Sequence, residues 1–103
     1  MQVIRARDFT GRSAWDALSI ERIVDATVRL HWTDQPYRWH INDSPEVFAV
    51  LDGRVDMHVR TTGGEQVLHL ETGDIFHAEP GDEHVARPLG EARILVIEQA
   101  GSE

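Results

Sequence analysis

With 103 residues, 18 acidic against 10 basic side chains and a formal charge of −8, the chain has room for one domain around one core. That acidity, with no run of Lys or Arg to offset it, argues against nucleic acid or an anionic membrane surface as a partner. The absence of cysteine removes disulfides, thiolate metal ligands and a Cys nucleophile, so any metal must take nitrogen and oxygen donors.

The first eight residues, Met1 to Asp8, lack the charged-then-apolar layout of a secretion signal, and no apolar run nears the ~20 residues of a membrane span. A soluble protein of the cytoplasm is expected. Residues 1–18 read as an arm, or a short helical turn packed across one end of the domain through Trp15, Ala17 and Leu18. From Ser19 onward the apolar positions recur at period two, in Ile20 to Val24 and again in Ala26 to Trp32, which lays one side of each strand on a core. Residues 46–51 and 54–60 flank Asp52-Gly53, a dipeptide suited to a type I′ turn, so these two segments are expected to pair as a hairpin. Thr62-Gly63-Gly64 makes a second hairpin turn, and Thr72-Gly73-Asp74 and Pro80-Gly81-Asp82 punctuate the strands that follow. Short strands interrupted so regularly, ending in Ala92 to Glu98, define an all-β sandwich or barrel over residues 1–103 as a single domain.

The residues with chemistry fall in two clusters, His40 to Glu46 and Pro80 to His84. Two imidazoles and a carboxylate held on stiff strands are the donor type that suits a divalent first-row metal while leaving coordination positions open. No nucleophile motif, phosphate-cradling loop or dinucleotide fingerprint is present, since Gly63-Gly64 lies in a hairpin and not between a strand and a helix.

The clusters resemble the paired signatures of the cupin superfamily, in particular the small single-domain, RmlC-like type. The first cupin motif runs His-x-His, three or four residues, Glu, six residues, Gly; here His40, Glu46 and Gly53 match, and Asn42 stands at the second His position, within residues 39–53. The second runs Gly, five residues, Pro-x-Gly, two residues, His, three residues, Asn; Gly73, Gly81 and His84 match within residues 73–88, while Glu79 replaces Pro and Pro88 replaces Asn. The resemblance implies a jelly-roll barrel that holds iron, manganese, nickel, copper or zinc through His40, Glu46 and His84, and a homodimer. Asn42, a neutral amide, is a poor donor beside imidazole and more naturally caps the turn that runs on to Pro45. His77, in the strand ahead of His84, is the other candidate to supply a further ligand, but strand alternation leaves its face open.

Among the remaining candidates, His31, His58 and His69 read as solvent-facing or cross-strand residues. Trp32, Tyr37, Trp39 and Phe48 read as packing or as a stacking wall, Arg38 or Arg87 as an anion clamp, and 79–83 as a solvated acidic turn. The functional expectation is a metal-dependent oxygenase or isomerase acting on a small organic molecule; the alternative is a non-catalytic barrel that binds a small molecule or supports an interaction partner, its metal site disabled by Asn42.

Overall fold

The computed structural model describes residues 1–102. After a single 3-10 turn at Ala6–Asp8 come nine strands: β1 (Asp16–Ile23), β2 (Ala26–Thr33), β3 (His40–Ile41), β4 (Glu46–Asp52), β5 (Val55–Thr61), β6 (Gly64–Leu70), β7 (Ile75–Ala78), β8 (Glu83–Pro88) and β9 (Ala92–Gln99). They form two antiparallel sheets, β1-β2-β9-β4-β7 and β3-β8-β5-β6, facing each other as a jelly-roll sandwich. Phe48, Val50, Val55, Met57, Ala86, Ala92, Ile94 and Val96 from both sheets make one buried cluster between them. Each large side chain withdrawn from water in this way contributes about 1.5–3 kcal/mol, the main favourable term holding the sheets together.

Local turn chemistry follows the residues. Thr62 and Gly63 close the β5–β6 hairpin, whose register brings Thr61 opposite Gly64. The turns before β7 and β8 use one device twice: Asp74 Oδ2 accepts from the Glu71 backbone N–H at 2.8 Å, and Asp82 Oδ2 from that of Glu79 at 2.8 Å.

The Asp52-Gly53 corner differs from expectation. β4 pairs with β7 and β9 while β5 pairs with β6 and β8, so the corner carries the chain from one sheet to the other instead of closing a hairpin. Gly53 has φ +89°, and a Cβ there would sit 2.4 Å from the Glu91 carbonyl oxygen. Glycine is needed because two backbones touch at this crossing.

The N-terminal region also departs from the reading of an arm over residues 1–18, because β1 already begins at Asp16. Phe9, Thr10 and Gly11 pack on the outer face of the five-stranded sheet, against Arg93 and Trp32, while Trp15 turns into the sandwich. Arg93, pointing outward from β9, donates to the Phe9 carbonyl at 2.9 Å and to Thr10 Oγ1 at 3.2 Å while pairing with Asp52 at 2.9 Å. Leu30 and Trp32 are consequently buried although they face away from the main core. No helix among the described residues is long and apolar enough to cross a membrane.

Candidate metal centre

His40 and His84 stand directly opposite each other on β3 and β8, and a directly opposed pair shares a face, so both rings enter the sandwich from the four-stranded sheet. Glu46, first residue of β4, enters from the other sheet. One ligand atom from each of the three lies within 4.8 Å of the others, and Glu46 and His84 are buried. The trio expected from the motifs is therefore brought together at one end of the barrel, where its three side chains line a cavity of about 490 Å³.

One of the two imidazoles, His40, presents a free lone pair. His40 Nδ1 donates to the Arg38 carbonyl at 3.2 Å, which leaves Nε2 of a neutral ring as the lone-pair nitrogen; that atom is buried and makes no hydrogen bond. Burial also pushes the His40 pKa below its ordinary range, favouring the neutral form that binds metals. At His84, Nε2 lies 2.6 Å from Asn42 Oδ1 and 3.3 Å from Glu46 Oε1. Asn42 Nδ2 donates to the Ser44 carbonyl at 3.2 Å, which fixes its amide orientation and makes the His84 nitrogen the donor to Oδ1. Asn42 thus caps its turn, as expected, and also touches the site through His84.

A second carboxylate shapes the electrostatics. Glu98 on β9 is paired in register with Glu46, and both are buried. Arg29 Nη2 meets Glu98 Oε1 at 2.8 Å, offsetting one charge. Burial, then the nearby Glu46, push the Glu98 pKa up, with Arg29 opposing. Arg29 is committed to Glu98, so Glu46 faces the two imidazoles with no guanidinium of its own. Glu46 Oε1 also accepts from Asn42 Nδ2 at 3.4 Å, and two imidazoles with a carboxylate are a donor set that suits a divalent first-row ion.

The cavity wall corrects several residue expectations. His77 alternates with Phe76 on β7; Phe76 turns inward, its ring centroid 5.2 Å from that of His84, whereas His77 points to solvent and pairs with Glu79 at 2.9 Å. His77 is on the wrong face to join the trio. His31 is neither solvent-facing nor cross-strand paired: it lines the cavity and its Nδ1 donates to the Trp15 carbonyl at 3.2 Å. His58 and His69 do make cross-strand pairs, with Glu65 at 3.3 Å and Asp56 at 2.7 Å. Of the four aromatics, Tyr37 and Phe48 line the cavity, Trp32 is buried on the other face of its sheet, and Trp39 is stacked by Arg60 at 3.7 Å. Arg87 is exposed on β8 and Arg38 lies over the Tyr37 ring at 5.0 Å; the guanidinium in the cavity wall is Arg29 instead. Trp15, Arg29, His31 and Glu98 are among the cavity residues that the sequence did not place there. The only signal for Glu98 was a charge at a strand position flanked at period two by Val96 and Ala100, and Arg29, between Thr27 and His31, offered none.

Four of the five buried side-chain nitrogens without a partner among the described residues belong to this cavity: Trp15 Nε1, Arg29 Nε, His40 Nε2 and His84 Nδ1. Leaving a buried polar group unsatisfied costs about 1–3 kcal/mol, so the residues of this wall carry a cost that the apolar core does not.

An antiparallel jelly roll whose inward His, Glu and His converge at one end of the barrel defines a class of small β-barrel proteins. Residues 27–98 match the cupin domain family, and the chain belongs to that family. Solved structures agree. A cupin-2 domain containing protein from Shewanella frigidimarina is similar at 26% identity, with 94% of each chain covered and a TM-score of 0.79. A cupin superfamily protein from Desulfitobacterium hafniense is similar at 12% identity, covering 91% of this chain and 85% of its own, with a TM-score of 0.76. A protein from Neisseria meningitidis is similar at 16% identity, covering 96% of this chain and all of its own, with a TM-score of 0.74. No curated protein matches the sequence.

Proposed function

We propose that this cupin binds one divalent metal ion, iron, manganese, nickel, copper or zinc, through His40, Glu46 and His84, and acts as an oxygenase or isomerase on a small organic molecule held in the adjoining cavity. The observation that carries the reading is a buried carboxylate, Glu46, facing two imidazoles while its neighbour Glu98 already holds the local guanidinium. A bound ion supplies Lewis acidity or redox chemistry to a ligand atom in its open positions. The chain's own contribution is to keep His40 neutral, to aim its lone pair through the Arg38 carbonyl, and to exclude bulk water with Tyr37 and Phe48.

The test is metal content after purification without chelators or a metal-binding tag. Near-stoichiometric metal that is lost in His40→Ala and in His84→Ala supports the reading. The 2.6 Å contact between Asn42 and His84 favours a second one, because it ties up the very nitrogen nearest Glu46. In that case the barrel binds small molecules without metal or catalysis, and neither bound metal nor a thermal shift on adding metal is found. Asn42→His separates the two: restoring the imidazole tightens metal binding if the remaining donors already converge.

We also infer a homodimer of the cytoplasm. β1 is a sheet edge with Leu18, Ile23 and Val24 exposed, and Ile23 and Val24 border an apolar groove with Val47 and Ile97 on the outer face of the larger sheet. A two-fold partner would cover that edge and groove together. Light scattering on the intact chain checks it, and Val24→Glu is expected to yield monomers.

A further inference from the structure

Two of the unpartnered cavity nitrogens, Trp15 Nε1 and Arg29 Nε, lie outside the proposed metal ligands, and both can only donate a hydrogen bond. The Arg29 guanidinium is half used: Nη2 meets Glu98 while Nε meets nothing. Trp15 is held in place at some cost, since its backbone has φ +64°, a region bulky residues rarely adopt. Its carbonyl is engaged by His31, and its ring meets Tyr37 edge-on at a centroid distance of 5.2 Å, so the indole is locked in the cavity wall. A locked donor and a half-used guanidinium on residues of the same cavity wall call for a ligand with acceptor oxygens. Phe48, Ala86 and Val96 complete the wall and call for an apolar body.

Charge decides what kind of acceptor. With the imidazoles neutral, Glu46 and Glu98 against Arg29 leave the cavity with one excess negative charge. A divalent ion at His40, Glu46 and His84 turns that excess positive by one, which a single carboxylate then neutralises and a dicarboxylate overshoots. We propose that the cavity is a binding site for a small monocarboxylate with an apolar body, whose oxygens accept from Trp15 Nε1 and Arg29 Nε. The choice of sign rests on the metal reading above; the donor pair does not.

Calorimetric titration of zinc-reconstituted protein, with zinc content measured first, tests this with propionate, benzoate and phenylacetate against their primary amides and against isophthalate. At least one monocarboxylate is expected to bind tenfold or more tightly than its amide and than isophthalate. Trp15→Phe, which keeps a ring but removes the donor, is expected to weaken it at least fivefold at unchanged zinc content. Arg29→Lys, which keeps the charge facing Glu98 but removes Nε–H, does the same if Trp15→Phe fails to fold. Amides that bind as well as the acids, no binding by any of the three acids, or full affinity in the folded variants overturns the proposal. Failure of the metal reading is visible separately, as absent zinc. On zinc-free protein, whose cavity keeps its excess negative charge, the neutral amides then decide the donor pair: amide binding that is lost in Trp15→Phe upholds it, and no amide binding overturns it.

Discussion

Along β4 the inward side chains run Glu46, Phe48, Val50, and along its antiparallel partner β9 they run Glu98, Val96, Ile94, so one interior changes character over a few residues. At one end lie Val50, Val55, Met57, Ala92 and Ile94, all without exposure to water. At the other lie His40, Glu46, His84, Arg29 and Glu98 around a cavity. The apolar end satisfies itself by burial alone. The polar end carries two adjacent carboxylates, one of them paired with Arg29, and four unpartnered nitrogens, a cost that burial alone does not offset. The apolar core and the candidate site therefore lie at opposite ends of the same strands.

Substitutions at the two ends should separate stability from metal binding. Met57→Ala, in the fully buried end, is expected to cost about 2–5 kcal/mol in denaturant unfolding while leaving metal content unchanged. At the polar end, metal at a hundredfold excess over its dissociation constant should raise stability by about 2.7 kcal/mol, seen as a higher unfolding midpoint that His84→Ala abolishes. Glu46→Gln sharpens the contrast further: in metal-free protein, removing a buried charge beside Glu98 is expected to raise stability by about 1 kcal/mol, while the metal-dependent shift disappears.

A smaller effect should appear with pH. Burial lowers the pKa values of His31 and His40 from 6.5, so the unfolded chain takes up these protons before the folded one does. Stability of the metal-free protein should consequently fall as pH drops below about 6.5 towards their folded values, and His31→Asn should flatten that fall in thermal unfolding. Glu98 works in the opposite direction at lower pH, because its raised pKa makes the folded state the stronger proton acceptor. The smallest effect belongs to His77→Ala: an exposed ring paired with Glu79 on the outer face should change stability by no more than about 0.5 kcal/mol and metal content not at all.

Much of this was legible in the chain. Alternation marked the strands, the turn residues marked their ends, and the spacing of His40, Glu46 and His84 named the trio that the fold brings together. The failures share a cause. In β2, alternation offers Val28, Leu30 and Trp32 as one face and Thr27, Arg29 and His31 as the other; the apolar set looks like the core side, yet it is the polar set that faces the cavity. Leu30 and Trp32 are buried all the same, because the chain before β1 covers the outer face of that sheet. Periodicity records that two faces differ and is silent on which neighbour covers each. The Asp52-Gly53 corner misleads similarly, since a glycine that tolerates positive φ serves a hairpin or a crossing between sheets equally well.

What this sequence determines by itself is the local geometry and the chemistry available: β-strands of set length, nitrogen and oxygen donors without thiolate, and a motif spacing that places two rings and an acid. Tertiary structure alone decides that Glu46 lies beside Glu98, that Arg29 is committed to one of them, and that Trp15 rather than Trp32 or Trp39 enters the cavity. The physical reason is that electrostatic and hydrogen-bond demands depend on distances through space, between residues as far apart as Arg29 and Glu98 in the chain, and those distances exist only once the two sheets have closed on each other.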